Sequence, residues 1–427
     1  MQKDIAPIIA CIESSKLADV ERLGYSFEKR PIHLISLGSG PTVIFAWTQM
    51  HGNEATATAA VFDLLDILLS DDSILNTFTI HILPMLNPDG AERCIRQNAQ
   101  GIDINRDATA LQTPEGQILM NTAKRLKPNI GFNLHDQSPY YQTGTSGKPA
   151  TIAFLAPAFD KQKSIDTSRH LAMQLIVAMN EKIQKTIPGA VARYDDTYSY
   201  RSFGDNIAGL GVSTILIESG AASGDPNRQI ARKLNTESML TAMEYLRSNA
   251  HDNTDIKSTT SAYESIPENV SEALSSLVIR ELTFAAQNSY RAGVSIKQTA
   301  RYSDEFYIDF VGDLGIQAGL QELDALHLVF NRGSTFEIDS PLTLDNDKYV
   351  DLIKAGYIRF SGQTSLLNNV SDYPVCFVEN NTENALILGE PAYFLLNRRA
   401  NSIEGNQTEI QDIALAVLNG QIIPLSG

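Results

Sequence analysis

Between Pro31 and Pro84 the apolar positions change period twice. Ile32 to Leu37 and Thr42 to Trp47 are short β-rich runs on either side of a Gly-Ser-Gly-Pro turn, a pattern that predicts a hairpin entering a sheet. Ala55 to Leu69 then sets Ala, Val, Phe and Leu at helical spacing, and Phe78 to Leu83, closed by Pro84, returns to a strand. A β-α-β unit is predicted. Strand-like runs at Ile130 to Leu134, Ile152 to Leu155 and Ser213 to Ile217 are separated by helical patterns at Glu115 to Leu126 and Ser164 to Thr186, with a further helix around Asn227 to Ser248. Such alternation predicts an α/β sheet with helices on both faces, in which ligands bind in polar loops at strand ends.

The texture changes at His251 to Ser261, a run of Asp, Asn, Ser and Thr with hardly any apolar anchor. It predicts a domain over 1–250, a linker over 251–265 and a smaller, mainly β domain over 266–427. Within the last, short apolar runs at Leu282 to Ala286, Phe306 to Val311, Leu326 to Phe330, Tyr357 to Phe360, Ala385 to Leu388 and Ile413 to Leu418 sit between turn residues. This domain is read as a noncatalytic module.

A chain of 427 residues favours two or three domains, and 43% hydrophobic with 20% charged residues is the balance of a globular enzyme. The net charge of -16 and a pI near 4.9 exclude general attraction to nucleic acid or to anionic membrane surfaces, which demand clustered Lys and Arg. Neither is expected as a partner. Cys11, Cys94 and Cys376 lie far apart in no Cys-x-x-Cys spacing, so neither a disulfide framework nor a thiolate metal site is predicted. Met1 to Ala10 lacks a secretory apolar core and no run is long enough to span a bilayer, from which a cytoplasmic protein is expected.

The chemistry collects at predicted strand ends. Gln49-Met50-His51-Gly52-Asn53-Glu54 follows a strand and opens a helix, so His51 and Glu54 lie one turn apart and can converge on a metal. Asn87-Pro88-Asp89-Gly90 ends the next strand, followed by Arg96 and by Asp103-Ile104-Asn105-Arg106. His135 ends a later strand, and Glu218 another.

In this order, over roughly the first 250 residues, the motifs resemble those of the carboxypeptidase A family of zinc metallocarboxypeptidases. The form His51-Gly52-Asn53-Glu54 is closer to bacterial members. The resemblance implies a mixed central sheet with helices on both faces and one Zn2+ held by His51, Glu54 and His135. It also implies that Glu218 is the general base and that Arg96 polarises the scissile carbonyl. Asn105 and Arg106 match the pair that binds the substrate's terminal carboxylate, and Asp103 the acid that orients His51. Either Tyr198 or Tyr200 matches the tyrosine that covers the substrate, with Tyr198 preferred.

Physical chemistry agrees with these roles. Three protein ligands leave a zinc position open for water, and a planar guanidinium recognises a carboxylate with two charge-assisted bonds. The implied substrate is a peptide, or an acylated amino acid, with a free carboxylate. Aspartoacylase and succinylglutamate desuccinylase relatives share the zinc set and the Asn-Arg pair, which makes an N-acyl amino-acid deacylase the alternative enzyme. A noncatalytic binding protein on the same fold is the alternative from another class.

Overall fold

A computed structural model of the chain describes residues 5–15, 18–70, 72–248, 255–285, 289–299, 303–378, 386–399 and 410–425. Two compact units divide it, Met1–Ser271 and Glu272–Gly427. In the first unit the strands are β1 (Asp19–Tyr25), β2 (Pro31–Leu37), β3 (Thr42–Thr48), β4 (Phe78–Leu83), β5 (Ile130–Asp136), β6 (Gln142–Thr143), β7 (Ile152–Leu155), β8 (Val191–Arg193), β9 (Ser213–Ser219) and β10 (Asn269–Val270). Its helices are α1 (Ala6–Ser15), α2 (Thr56–Leu68), α3 (Asp72–Leu75), α4 (Pro88–Arg93), α5 (Pro114–Leu126), α6 (Thr167–Ile183), α7 (Phe203–Ala208), α8 (Gln229–Ser248) and α9 (Ile256–Glu264).

Eight strands form one mixed sheet in the order β1-β2-β4-β3-β5-β9-β7-β8, while β6 and β10 pair separately. The centre, β4-β3-β5-β9, is parallel. Helices cover both faces, so the central strands are apolar on both sides, and β5 is buried along its whole length. On one face Ile80, Ile82, Phe132, Ile215 and Ile217 pack with Leu64 of α2, Ile176 of α6 and Leu234 of α8. On the other, Phe45, Trp47 and Leu83 pack with Leu119 of α5 and Phe203 of α7. Gly131 lies opposite Phe45, and a Cβ there would stand 3.2 Å from the Trp47 ring, so the missing side chain makes room for the indole.

The hairpin predicted from Ile32 to Trp47 is corrected. β4 inserts between β2 and β3, antiparallel to the first and parallel to the second. The Gly-Ser-Gly-Pro link crosses the start of β4 in close backbone contact: a Cβ at Gly38 would lie 2.2 Å from the Phe78 carbonyl oxygen, and one at Gly40 2.0 Å from the Thr77 carbonyl carbon. The glycines serve that crossing, with Gly38 at φ 79°.

The linker expected over 251–265 is also corrected where the structure describes it; 251–254 fall outside the described residues. Asp255 caps α9 by accepting from the Ser258 N–H, and α9 packs against α6. Thr259 and Tyr263, one turn apart, are the buried positions of this polar helix. The Tyr263 ring joins the first unit's core, and its phenol oxygen accepts from the Ala156 N–H at 3.1 Å. One aromatic stripe anchors a segment whose composition is that of a loop.

The second unit is mainly β. Its strands are β11 (Leu274–Phe284), β12 (Tyr290–Gln298), β13 (Phe306–Gly312), β14 (Ala318–Asp324), β15 (Leu328–Asn331), β16 (Ser334–Ile338), β17 (Leu342–Leu344), β18 (Tyr357–Gly362), β19 (Leu367–Asn369), β20 (Tyr393–Arg399), β21 (Ile410–Leu418) and β22 (Gln421–Pro424). The main sheet runs β13-β12-β11-β15-β20-β21-β22, with β14 also pairing β11, and one helix, α10 (Asn346–Lys354), packs against β18. Residues 386–388, expected as part of a strand, are irregular. No helix among the described residues is long and apolar enough to cross a membrane.

Candidate metal centre

The chain leaves β3 through Gln49, whose φ of 49° turns it sharply. The turn is held from within: the Gln49 side chain accepts from the Thr58 hydroxyl at 2.7 Å and donates to the Gly52 carbonyl at 2.9 Å. The Asn87-Pro88-Asp89-Gly90 segment supports it from outside. Asn87 caps α4 by accepting from the Gly90 N–H, and its side-chain amide donates to the Met50 carbonyl at 3.1 Å. Backbone lies on backbone here, since a Cβ at Gly52 would stand 2.0 Å from the Gly90 carbonyl carbon.

This scaffold brings His51, Glu54 and His135 together, each about 98–99% buried, with candidate ligand atoms all within 4.8 Å of one another. His51 Nδ1 lies 2.9 Å from Glu54 Oε1, His135 Nδ1 2.8 Å from Glu54 Oε2, and the two Nδ1 atoms are 3.2 Å apart. Donors on one tetrahedral zinc at ordinary bond lengths stand about 3.3 Å apart. Two imidazole lone pairs at 3.2 Å repel unless a cation sits between them, so two nitrogens and a carboxylate in this spacing fit a zinc ion. His135 Nε2 is buried with no hydrogen-bond partner among the described residues, consistent with a ring oriented through Nδ1.

Asp103 accepts from His51 Nε2 at 3.1 Å, which turns the Nδ1 lone pair toward the cluster. Partial burial opposes ionisation of Asp103, but the His51 bond and the charges of His51, Arg96 and Arg106 overcome it and hold this carboxyl well below the usual carboxylate range. Arg96 donates from Nε to Asp103 Oδ2 at 3.1 Å and approaches His51 Nδ1 and Glu54 Oε1 at 3.1 and 3.4 Å. Burial likewise opposes the charge of Glu54, and the two imidazoles lower its pKa well below the ordinary value.

Glu218 is the register partner of His135 across β5 and β9, half-buried, with its side chain on the same face of the sheet. Asn105 and Arg106 lie on a single helical turn capped by Asp103. The Asn105 side-chain oxygen accepts from the Phe203 N–H that opens α7, at 2.9 Å, and Arg106 is exposed with Nη1 on the Asn105 carbonyl at 2.7 Å. Tyr198 is half-buried in the irregular segment before α7, and its hydroxyl has no hydrogen bond among the described residues; Tyr200 is 58% exposed.

Sequence reasoning missed two supports. Arg228, buried, donates to the carbonyls of Ser219 at 2.6 Å and Gln137 at 2.9 Å, tying together the chain just past Glu218 and just past His135. Tyr194 lies in the field of Glu218 and Glu54 and is hydrogen-bonded to Tyr141. Neither stands in a motif; an arginine ten residues after Glu218 and a tyrosine directly after a short strand carry no signal by spacing.

Residues 10–150 match the profile of the zinc carboxypeptidase family. Carboxypeptidase B of Astacus astacus is 33% identical over 149 residues, which cover 33% of this chain and 45% of the relative. Carboxypeptidase Z of Mus musculus is 30% identical over 120 residues, covering 22% of this chain and 18% of the relative. The chain thus spans less than half the length of these curated relatives. A metallo-carboxypeptidase structure from Burkholderia cenocepacia superposes on 57% of this chain and 68% of its own with a TM-score of 0.46 at 19% identity. The matched segment contains His51, Glu54 and His135, the three residues whose candidate ligand atoms converge.

Proposed function

We propose that the protein is a zinc-dependent carboxypeptidase that removes the C-terminal residue of a peptide bearing a free α-carboxylate. The observation that supports this most is the convergence of His51, Glu54 and His135 with Glu218 in register beside His135. A bound zinc ion supplies Lewis acidity and lowers the pKa of a water molecule toward neutrality. His51, Glu54 and His135 hold the ion, and Asp103 keeps His51 in the required tautomer.

Glu218 takes the proton of the attacking water and passes it to the departing amine. Arg96, anchored on Asp103 through Nε and Nη2, directs Nη1 into the cluster, where it meets the oxygen on which negative charge develops. Arg106 and Asn105 receive the terminal carboxylate, which selects exopeptidase over endopeptidase cleavage. Tyr198 closes over the bound residue.

The test compares matched peptides with a free acid and an amide at the C-terminus. Amidation removes the charge that Arg106 pairs with, at a cost of a few kcal/mol, so the free acid is expected to react faster by at least about a hundredfold. Arg106→Ala should bring the two rates together. Equal rates in the wild type would overturn the reading. An N-acyl amino acid as a third substrate separates a deacylase, which would cleave it in preference to both peptides.

A further inference from the structure

His135, Glu218, Ala153 and Ala192 are successive register partners across β5, β9, β7 and β8, and so form one row over the sheet. Strand alternation places all four side chains on the face that carries the metal cluster. Half of that row consists of methyl groups. The rings of Tyr141 and Tyr194 pack on Ala150, Ala153 and Ala192, with ring centroids 6.0 Å apart and hydroxyl oxygens 3.3 Å apart. Tyr194 lies two residues beyond Ala192, and its backbone N–H donates to the Phe154 carbonyl at 2.8 Å. It therefore extends β8 on the same face as Ala192, and its ring packs on the cluster that holds Ala153, the register partner of Glu218.

Two phenols carry two protons and the bond between them uses one, which leaves one donor for an acceptor outside the pair. Burial, and then the negative charge of Glu218, raise the Tyr194 phenol above its ordinary range, with Tyr141 and Glu54 contributing less. The hydroxyl stays protonated.

We propose that Tyr194, held in place by Tyr141, is a positioning residue for Glu218, backing its carboxylate from the β8 side and fixing the rotamer that faces the metal cluster. The proposal rests on the assignment of Glu218 as general base. Small residues at 153 and 192 are what allow the two rings to lie beside that carboxylate.

Tyr194→Phe keeps the ring and removes the hydroxyl. Its kcat should fall about tenfold with KM within about twofold of the wild type, the pattern of a group that acts on the chemical step. In a Glu218→Asp background, whose shorter side chain withdraws from the phenol, the same substitution should change kcat less than about twofold. Equal losses in the two backgrounds, no loss in the wild type, or a rise in KM alone overturns the proposal. Ultraviolet difference spectra read the contact without any substrate, so the result stands even if carboxypeptidase activity itself is absent. Replacing Glu218 by Gln should perturb a tyrosine band when Tyr194 is present and leave the spectrum of Tyr194→Phe unchanged; identical spectra in both cases overturn the proposal independently of turnover.

Discussion

His135 and Glu218 stand directly opposite each other on adjacent parallel strands, so one inter-strand step separates an imidazole of the metal cluster from a carboxylate suited to proton transfer. Strands in this direction are about 4.8 Å apart.

The first prediction concerns the metal. His135→Ala leaves two of three ligands and should lose most of the zinc carried by the wild type, measured by elemental analysis after dialysis. Added zinc should raise the melting temperature of the metal-stripped wild type and not of the variant. A full equivalent of zinc in the purified variant would exclude His135 as a ligand.

Glu218→Gln preserves shape and removes the proton acceptor. Turnover should drop by about 10²–10⁴ while zinc content and melting temperature stay close to those of the wild type. Near-normal turnover would assign water activation to another group.

Asp205 of α7 is 9% exposed, and burial pushes its carboxyl up to about 6 against the opposing Ser199 N–H, Arg106 and Arg169. The unfolded chain titrates this group near about 4. The native state thus holds the proton more tightly, and the stability from that preference is full below about pH 4 and lost as pH rises through about 6. Asp205→Asn keeps an oxygen for the Ser199 N–H and should remove this dependence. Urea unfolding at about pH 4.5 and about pH 7.5 should show the wild type losing roughly 2 kcal/mol more than the variant, after allowance for screening. Parallel pH profiles would rule out Asp205 as the source.

Gly52→Ala puts a Cβ 2.0 Å from the Gly90 carbonyl carbon and 2.2 Å from the Ala91 nitrogen, both backbone atoms that no rotamer change can clear. A loss of about 3 kcal/mol in stability is expected, together with weakened zinc binding because the displaced turn carries His51 and opens toward Glu54. Unchanged denaturation and zinc content would mean that the turn relaxes freely.

By itself the sequence determined what is local. The β3-α2-β4 unit follows from apolar periods that change between neighbouring segments, and the approach of His51 to Glu54 follows from a three-residue spacing, which the structure realises in the turn before α2 rather than in the helix itself. Glu54, Arg96, Asp103 and His135 were legible through the order of motifs that resembles the carboxypeptidase A family; Glu54 follows β3 and His135 lies in β5, whereas Arg96 and Asp103 lie in the connection after α4. The insertion of β4 between β2 and β3 was decided by the tertiary structure, since two strands beside a glycine-rich link pair only if no third strand competes for the edge. The docking of α9 was decided there too, by one buried tyrosine in a polar segment. So was the row from His135 through Glu218 to Ala153 and Ala192, because its members lie up to 83 positions apart (135 to 218) and meet only through the register of hydrogen-bonded strands. Periodicity specifies which face of a strand is buried; the partner that a strand pairs with is chosen by the packing of the whole sheet.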